Sequence, residues 1–84
     1  MDTYWLRVWG LRGLLWAWDD AAVPELRLAL TDDEWRVREM AFKVVSRNLL
    51  GDFIRDADAA RDDPVARVRH AAHQALVHLT ASDA

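Results

Sequence analysis

Apolar residues recur with helical spacing in three long stretches of the chain. In the middle stretch they follow the i, i+3, i+4 and i+7 pattern, at Val37, Met40, Ala41, Val44 and Val45. The last stretch repeats this spacing from Val68 to Leu79. Such spacing gives each helix one apolar face. No stretch alternates apolar and polar residues with a period of two, so the sequence predicts an all-α protein.

The three long stretches align with one another at a step of 31 residues. Leu6, Val37 and Val68 are equivalent in this alignment, and an arginine follows each of them. Asp32 and Asp63 are also 31 positions apart. A helical unit repeated at this period predicts a solenoid, in which neighbouring units stack and bury a continuous core.

Start and stop signals divide the chain into five predicted helices. Asp63 and Pro64 are typical of a helix start, because aspartate accepts the unpaired amides of a first turn and proline lacks an amide. Gly51 is predicted to end the third helix. We expect one domain over residues 1–84. Its helices are predicted at about residues 4–18, 21–30, 35–48, 53–61 and 65–80.

The segment from Asp62 to Leu76 combines two aspartates, a Val-Arg pair and alanines at helical spacing. With this pattern the chain closely resembles the HEAT-like repeats of phycobilisome-lyase-type proteins. The resemblance implies a right-handed α-solenoid of antiparallel helices, with two and a half repeats because the chain begins at a second helix. It also implies that the arginines of the pattern brace successive repeats against aspartates of the turns. These residues are Arg7, Arg38 and Arg69, with Asp32 and Asp63.

Charge is distributed unevenly, although the net charge is only −3. The long helices carry eight basic and two acidic residues, whereas the short-helix segments carry three basic and ten acidic ones. The second helices of solenoid repeats line the concave face, so we expect a basic face there. It would suit an acidic protein segment or, as the alternative function, the phosphate backbone of a nucleic acid. The residues expected to form it are Arg36, Lys43, Arg47 and Arg67.

Four of the five tryptophans lie in the first predicted helix. At about 100° per residue, Trp5, Trp9 and Trp16 fall on one stripe with Arg12 beside them. The equivalent positions in the later repeats are mostly polar or small. We predict that this stripe faces the place of a preceding repeat and binds a partner. Three alternatives remain for what covers the stripe: a second copy of the chain, another protein, or the chain's own first residues with neighbouring helices.

Other functions have weaker signals. The chain has no cysteine, which excludes thiolate chemistry and disulfides and fits a reducing cytoplasm. His70 and His73 have chelating spacing but no carboxylate nearby on their helix, so we interpret them as solvated surface. Arg7 and Arg12 interrupt the apolar first helix, which argues against a signal sequence or membrane span. We therefore expect a cytoplasmic protein-binding or scaffold module, not an enzyme, without a cofactor, a metal or a small-molecule substrate.

Overall fold

The computed structural model of the chain describes residues 3–81. These residues form five α-helices and no β-strand, so the all-α prediction is confirmed. The helices are α1 (Tyr4–Gly13), α2 (Val23–Ala29), α3 (Trp35–Arg47), α4 (Ile54–Ala59) and α5 (Ala66–Ala81). Short 3₁₀ turns flank the two shortest helices, at Asp20–Ala22, Gly51–Phe53 and Ala60–Asp62.

The helices are arranged in two layers. In the layer of long helices, α3 packs against both α1 and α5. In the layer of short helices, α2 packs on α3 and α4 packs on α5. The molecule measures 45 × 29 × 17 Å along its principal axes, and the shortest dimension leaves room for two helix layers about 10 Å apart.

The hydrophobic core lies between the two layers. α3 and α5 contribute fully buried valines, and the short layer contributes Leu26 and Phe53. Within the part of the chain that the structure describes, every fully buried side chain is apolar. On α3 and α5, the apolar residues at helical spacing therefore form the face that packs against the short layer and the neighbouring long helices. The buried valines are Val37, Val44, Val45 and Val68.

The first helix is shorter than predicted, because α1 ends at Gly13 and not near residue 18. The amides of Leu14 and Leu15 donate to carbonyls three residues back, at 2.9 and 3.1 Å. Gly10 and Gly13 weaken the helix, since glycine costs about 1 kcal/mol relative to alanine in a helix interior. The carbonyl of Leu14 accepts a hydrogen bond from the side chain of Asn48 at 3.0 Å, which ties this turn to α3.

The prediction that Gly51 ends the third helix is wrong. α3 ends at Arg47, and the chain reverses at Leu49, which has a positive φ of 52°. The amide of Leu50 donates to the carbonyl of Val45 at 3.1 Å, as in a Schellman motif. Gly51 instead begins the 3₁₀ turn before α4.

The other helices begin and end within two residues of their predicted bounds. Local start signals support three of them: Pro24 in the first turn of α2, and the carboxylates of Asp32 and Asp63 before α3 and α5. Among the described residues, no helix combines the length and the apolar character needed to cross a lipid bilayer.

Candidate functional site

The arginines and aspartates singled out by the repeat pattern are in contact. Nε of Arg7 donates to Oδ2 of Asp32 at 2.8 Å, and Nη2 donates to Oδ1 at 3.2 Å. Arg38 contacts Asp63 through the same pairs of atoms, at 2.9 and 3.2 Å. Arg38 also donates to the carbonyl of Asp32, and Arg69 donates to that of Asp63, both at 2.7 Å. Each aspartate thus joins the long helix before its turn to the long helix after it.

Both aspartates also accept a backbone hydrogen bond at the start of a long helix. Oδ1 of Asp32 accepts the amide of Glu34 at 2.9 Å, and Oδ1 of Asp63 accepts that of Val65 at 2.9 Å. Burial alone raises the pKa of each carboxyl. The hydrogen bonds from these amides and from the arginines outweigh it, so both pKa values lie below the usual value of 3.8. The two carboxylates are therefore charged at neutral pH and contribute to the framework.

Three tryptophans in α1 and the turn after it are exposed. Trp5 and Trp9 lie on α1, Trp16 lies in the turn after it, and they are 52%, 66% and 78% exposed, respectively. The ring of Trp5 lies 4.6 Å from that of Tyr4, between centroids, at a tilt of 34°. Arg12, on the same helix, is also exposed. We call Trp5, Trp9 and Trp16 the aromatic surface.

The position of Trp16 differs from the prediction. Because α1 ends at Gly13, the helical spacing that placed Trp16 on one stripe with Trp5 and Trp9 does not extend to it. The guanidinium of Arg47, on α3, lies 5.0 Å from the centroid of the Trp16 ring. Trp16 therefore contacts a basic residue of the following long helix.

The four residues predicted to form a basic face lie on the two longest helices, and each has a partner within the chain. Arg36 donates to Glu34 at 3.0 Å, and Arg67 donates to Glu39 at 2.9 Å. Nζ of Lys43 lies 4.0 Å from the same Glu39 carboxylate. Arg47 stacks on the ring of Trp16. These contacts partly neutralise the face, which keeps an excess of positive charge.

The three histidines lie on α5. His78 contacts the hydroxyl of Ser46 across the α3–α5 groove, and His70 lines the same groove. His73 is exposed. Within residues 3–81, no group of three histidine, aspartate or glutamate side chains is placed to hold a metal ion. The contact between Ser46 and His78 links the two longest helices.

A groove between α1 and α2 was not predicted from the sequence. Its volume is about 320 Å3. Leu6 on one wall and Leu28 on the other are 71% and 75% exposed. Leu6 and Leu28 are more exposed than Trp5 and Trp9. Both walls of the groove therefore expose an apolar side chain to water. We call it the α1–α2 groove, and its lining includes Leu6, Gly10, Leu14, Glu25, Leu28 and Ala29.

The repeat alignment contained a signal for this groove. Leu6 is equivalent to Val37 and Val68, which are both fully buried. Gly10 is equivalent to Ala41, which is also fully buried. Positions that are buried on α3 are thus exposed on α1, within the part of the chain that the structure describes.

Comparison with known proteins gives no significant match to a family model, a curated protein or a solved structure. Functional conclusions therefore depend on the chemistry of the surfaces themselves. The aromatic surface and the basic face were expected from the sequence, whereas the α1–α2 groove is evident only from the packing.

Proposed function

We propose that this chain is a protein–protein interaction or scaffold module. In this proposal it binds a partner protein or a second copy of itself through the aromatic surface, with the basic face as a secondary contact. The observation that carries the proposal is the joint exposure of Trp5, Trp9 and Trp16. Tryptophan is enriched at binding hot spots, and an exposed apolar patch on a small protein marks an interaction site.

The size of the aromatic surface indicates how the interface would be built. A tryptophan buries about 150–250 Å2, so three rings exposed by half or more offer roughly 300–500 Å2. A standard interface covers about 800 Å2 per partner. The rings would form its apolar centre, and neighbouring cations such as Arg12 and Arg47 would form a polar rim that favours an acidic partner segment.

Light scattering on the intact chain and on the Trp9→Asp variant tests this proposal. If the partner is a second copy, the intact chain should be a dimer and the Trp9→Asp variant should be a monomer. The matched control is Val77→Asp, which places the same charge at an exposed apolar position on α5 and should leave the dimer intact.

If the partner is a different protein, the intact chain and its variants should all be monomers. Acrylamide should then readily quench their tryptophan fluorescence. Monomers with quencher-resistant tryptophans would contradict both versions of the proposal. In that case the chain would cover the rings itself.

We further propose that the two layers are a short right-handed solenoid of HEAT-like repeats. The hydrogen bonds between Arg7 and Asp32 use the same atoms as those between Arg38 and Asp63, 31 positions later. Inserting a second copy of residues 35–65 after residue 65 tests this architecture. If the fold is a solenoid, the lengthened chain should unfold cooperatively. Its free energy of unfolding should depend more steeply on denaturant concentration than that of the original chain, because more surface is buried. Unfolding in which the inserted segment contributes no buried surface would contradict it.

The alternative function is nucleic-acid binding through the basic face. Its four cations already contact carboxylates or a ring within the chain, so it is less well supported than protein binding. It predicts retention on a polyanion column at low salt that falls steeply as salt is added. The absence of retention at low salt would exclude nucleic-acid binding. In both readings we propose a cytoplasmic location, in keeping with a chain that has no cysteine.

A further inference from the structure

The α1–α2 groove lies where the repeat pattern places a short helix. α2 packs on α3 and α4 packs on α5, whereas α1 packs chiefly against α3. On α3, the positions equivalent to the groove wall are all fully buried, at Val37, Ala41 and Val45. On α1, these positions are Leu6, Gly10 and Leu14, which line the open groove. Residues 3–81 therefore leave open on α1 a face that is buried on α3.

The way α2 packs in the next repeat shows what such a face accepts. Leu26, Ala29 and Leu30 are buried at i, i+3 and i+4 spacing. Arg27, between them in sequence, points to α4, where its guanidinium lies 3.7 Å from the carboxylate of Asp56. An occupant of this kind thus combines a small apolar face with one cation directed at the following short helix.

The α1–α2 groove has the matching charge. Glu25 is the equivalent of Asp56 in the alignment and lines the groove. Within residues 3–81, the carboxylate of Glu25 has no hydrogen bond or ion pair, whereas that of Asp56 is paired with Arg27. The groove therefore offers apolar walls and an unpaired carboxylate in the arrangement that α3 and α4 present to α2.

We propose that the α1–α2 groove binds a short amphipathic helix of a partner protein. The helix carries apolar residues at i, i+3 and i+4 and an arginine or lysine at i+1, so that its cation pairs with Glu25. A second copy of the chain is the poorer occupant, because its own α2 is already packed in its core through Leu26. The groove is separate from the aromatic surface, and this proposal does not depend on that surface.

A labelled peptide with the sequence of residues 19–31 is the probe, because it carries the α2 pattern. Fluorescence anisotropy with the intact chain should show saturable binding. Leu28→Asp in the protein should weaken binding at least ~10-fold, which corresponds to about 1.4 kcal/mol. Two control variants, Val77→Asp on α5 and Trp9→Asp in the aromatic surface, should bind the peptide as the intact chain does.

A charge exchange tests the role of Glu25. Glu25→Arg should weaken peptide binding several-fold, and a peptide whose arginine is replaced by glutamate should regain affinity for that variant. A purely structural effect of the substitution would not be reversed by changing the peptide. If the exchanged pair binds no better than the mismatched pair, the assignment of Glu25 is wrong.

A fusion removes the cost of folding an isolated peptide, since short helices are marginal in water. Residues 19–34 joined ahead of Tyr4 should raise Tm and slow hydrogen exchange in α1, and Leu28→Asp should abolish both effects. The absence of saturable peptide binding together with an unchanged Tm in the fusion would overturn the proposal. A concentration-dependent dimer that Leu28→Asp abolishes and Trp9→Asp does not would identify a second copy as occupant and would also overturn it.

Discussion

Leu6 on α1 and Val37 on α3 occupy equivalent positions, yet Leu6 is largely exposed and Val37 is fully buried. The two helices share the same arginine contact to a turn aspartate. They differ in their neighbours, because α2 packs on α3 and α1 packs chiefly against α3 alone. An apolar helix face thus becomes core in one region and an open surface in the other, according to what is stacked on it.

The most severe test of this comparison is to place the same charge at both equivalent positions. Val37→Asp should destabilise the fold by about 4 kcal/mol or more, because it buries an unpaired carboxylate. Leu6→Asp should change the free energy of unfolding by only about 0.5 kcal/mol, as expected for an exposed site. Urea unfolding followed by circular dichroism measures both values. Similar losses in the two variants would mean that Leu6 is covered in solution.

The two arginine–aspartate pairs provide a second comparison. The Arg38–Asp63 pair is mostly buried, and Arg38 also donates to two carbonyls, whereas Arg7 is about half exposed. Arg38→Ala should cost about 2–3 kcal/mol, because it removes two charged hydrogen bonds from the Asp63 carboxylate and the donor to two backbone carbonyls. Arg7→Ala should cost about 1 kcal/mol or less. Equal costs by urea unfolding would show that α1 is bound to its turn as firmly as α3.

Acid should weaken both pairs. The pKa values of Asp32 and Asp63 are lowered in the fold, so the unfolded chain takes up protons first as the pH falls. Their stabilisation is complete above the unfolded pKa of about 3.9 and is lost progressively below it, as the pH approaches the folded pKa values. Asp63→Asn should flatten this part of the stability profile. A wild-type profile that is no steeper than that of Asp63→Asn below pH 4 would contradict the assignment.

The smallest expected effect concerns the glycine in α1. Gly10 is equivalent to Ala41, and an added Cβ at Gly10 would meet no heavy atom within 4 Å. Gly10→Ala should therefore stabilise the chain by about 0.5–1 kcal/mol, through the higher helix propensity of alanine. Thermal unfolding measures this as a raised Tm. A lowered Tm would indicate that a segment packs closely over Gly10.

The sequence pattern predicted the helical class and four of the five helices closely, because apolar residues at helical spacing and start signals such as Pro24 are local features. It missed the end of α1, because the apolar stretch continues beyond Gly13 and suggested a longer helix, whereas Gly10 and Gly13 lower the helix propensity. It also missed the contact between Arg47 and Trp16, which depends on that turn.

The α1–α2 groove was missed for a different reason. Periodicity identifies which face of α1 is apolar, but it carries no information on whether another element lies against that face. Leu6 and Val37 are both apolar residues followed by arginine, but α3 packs against α1, α2 and α5, whereas α1 packs chiefly against α3. Surfaces of this kind can be predicted from sequence only when repeats are aligned and the first is compared with the later ones.

Binding through α1 and the turn after it requires that their tryptophans are exposed in the monomer. Hydroxyl-radical footprinting of the monomeric fraction, read out for each tryptophan by mass spectrometry, measures this exposure. We expect rapid oxidation of Trp5, Trp9 and Trp16, and slower oxidation of the half-buried Trp18 and Trp35. Equally slow oxidation of all five tryptophans in a monomer would contradict it, because the chain would then cover its own aromatic surface.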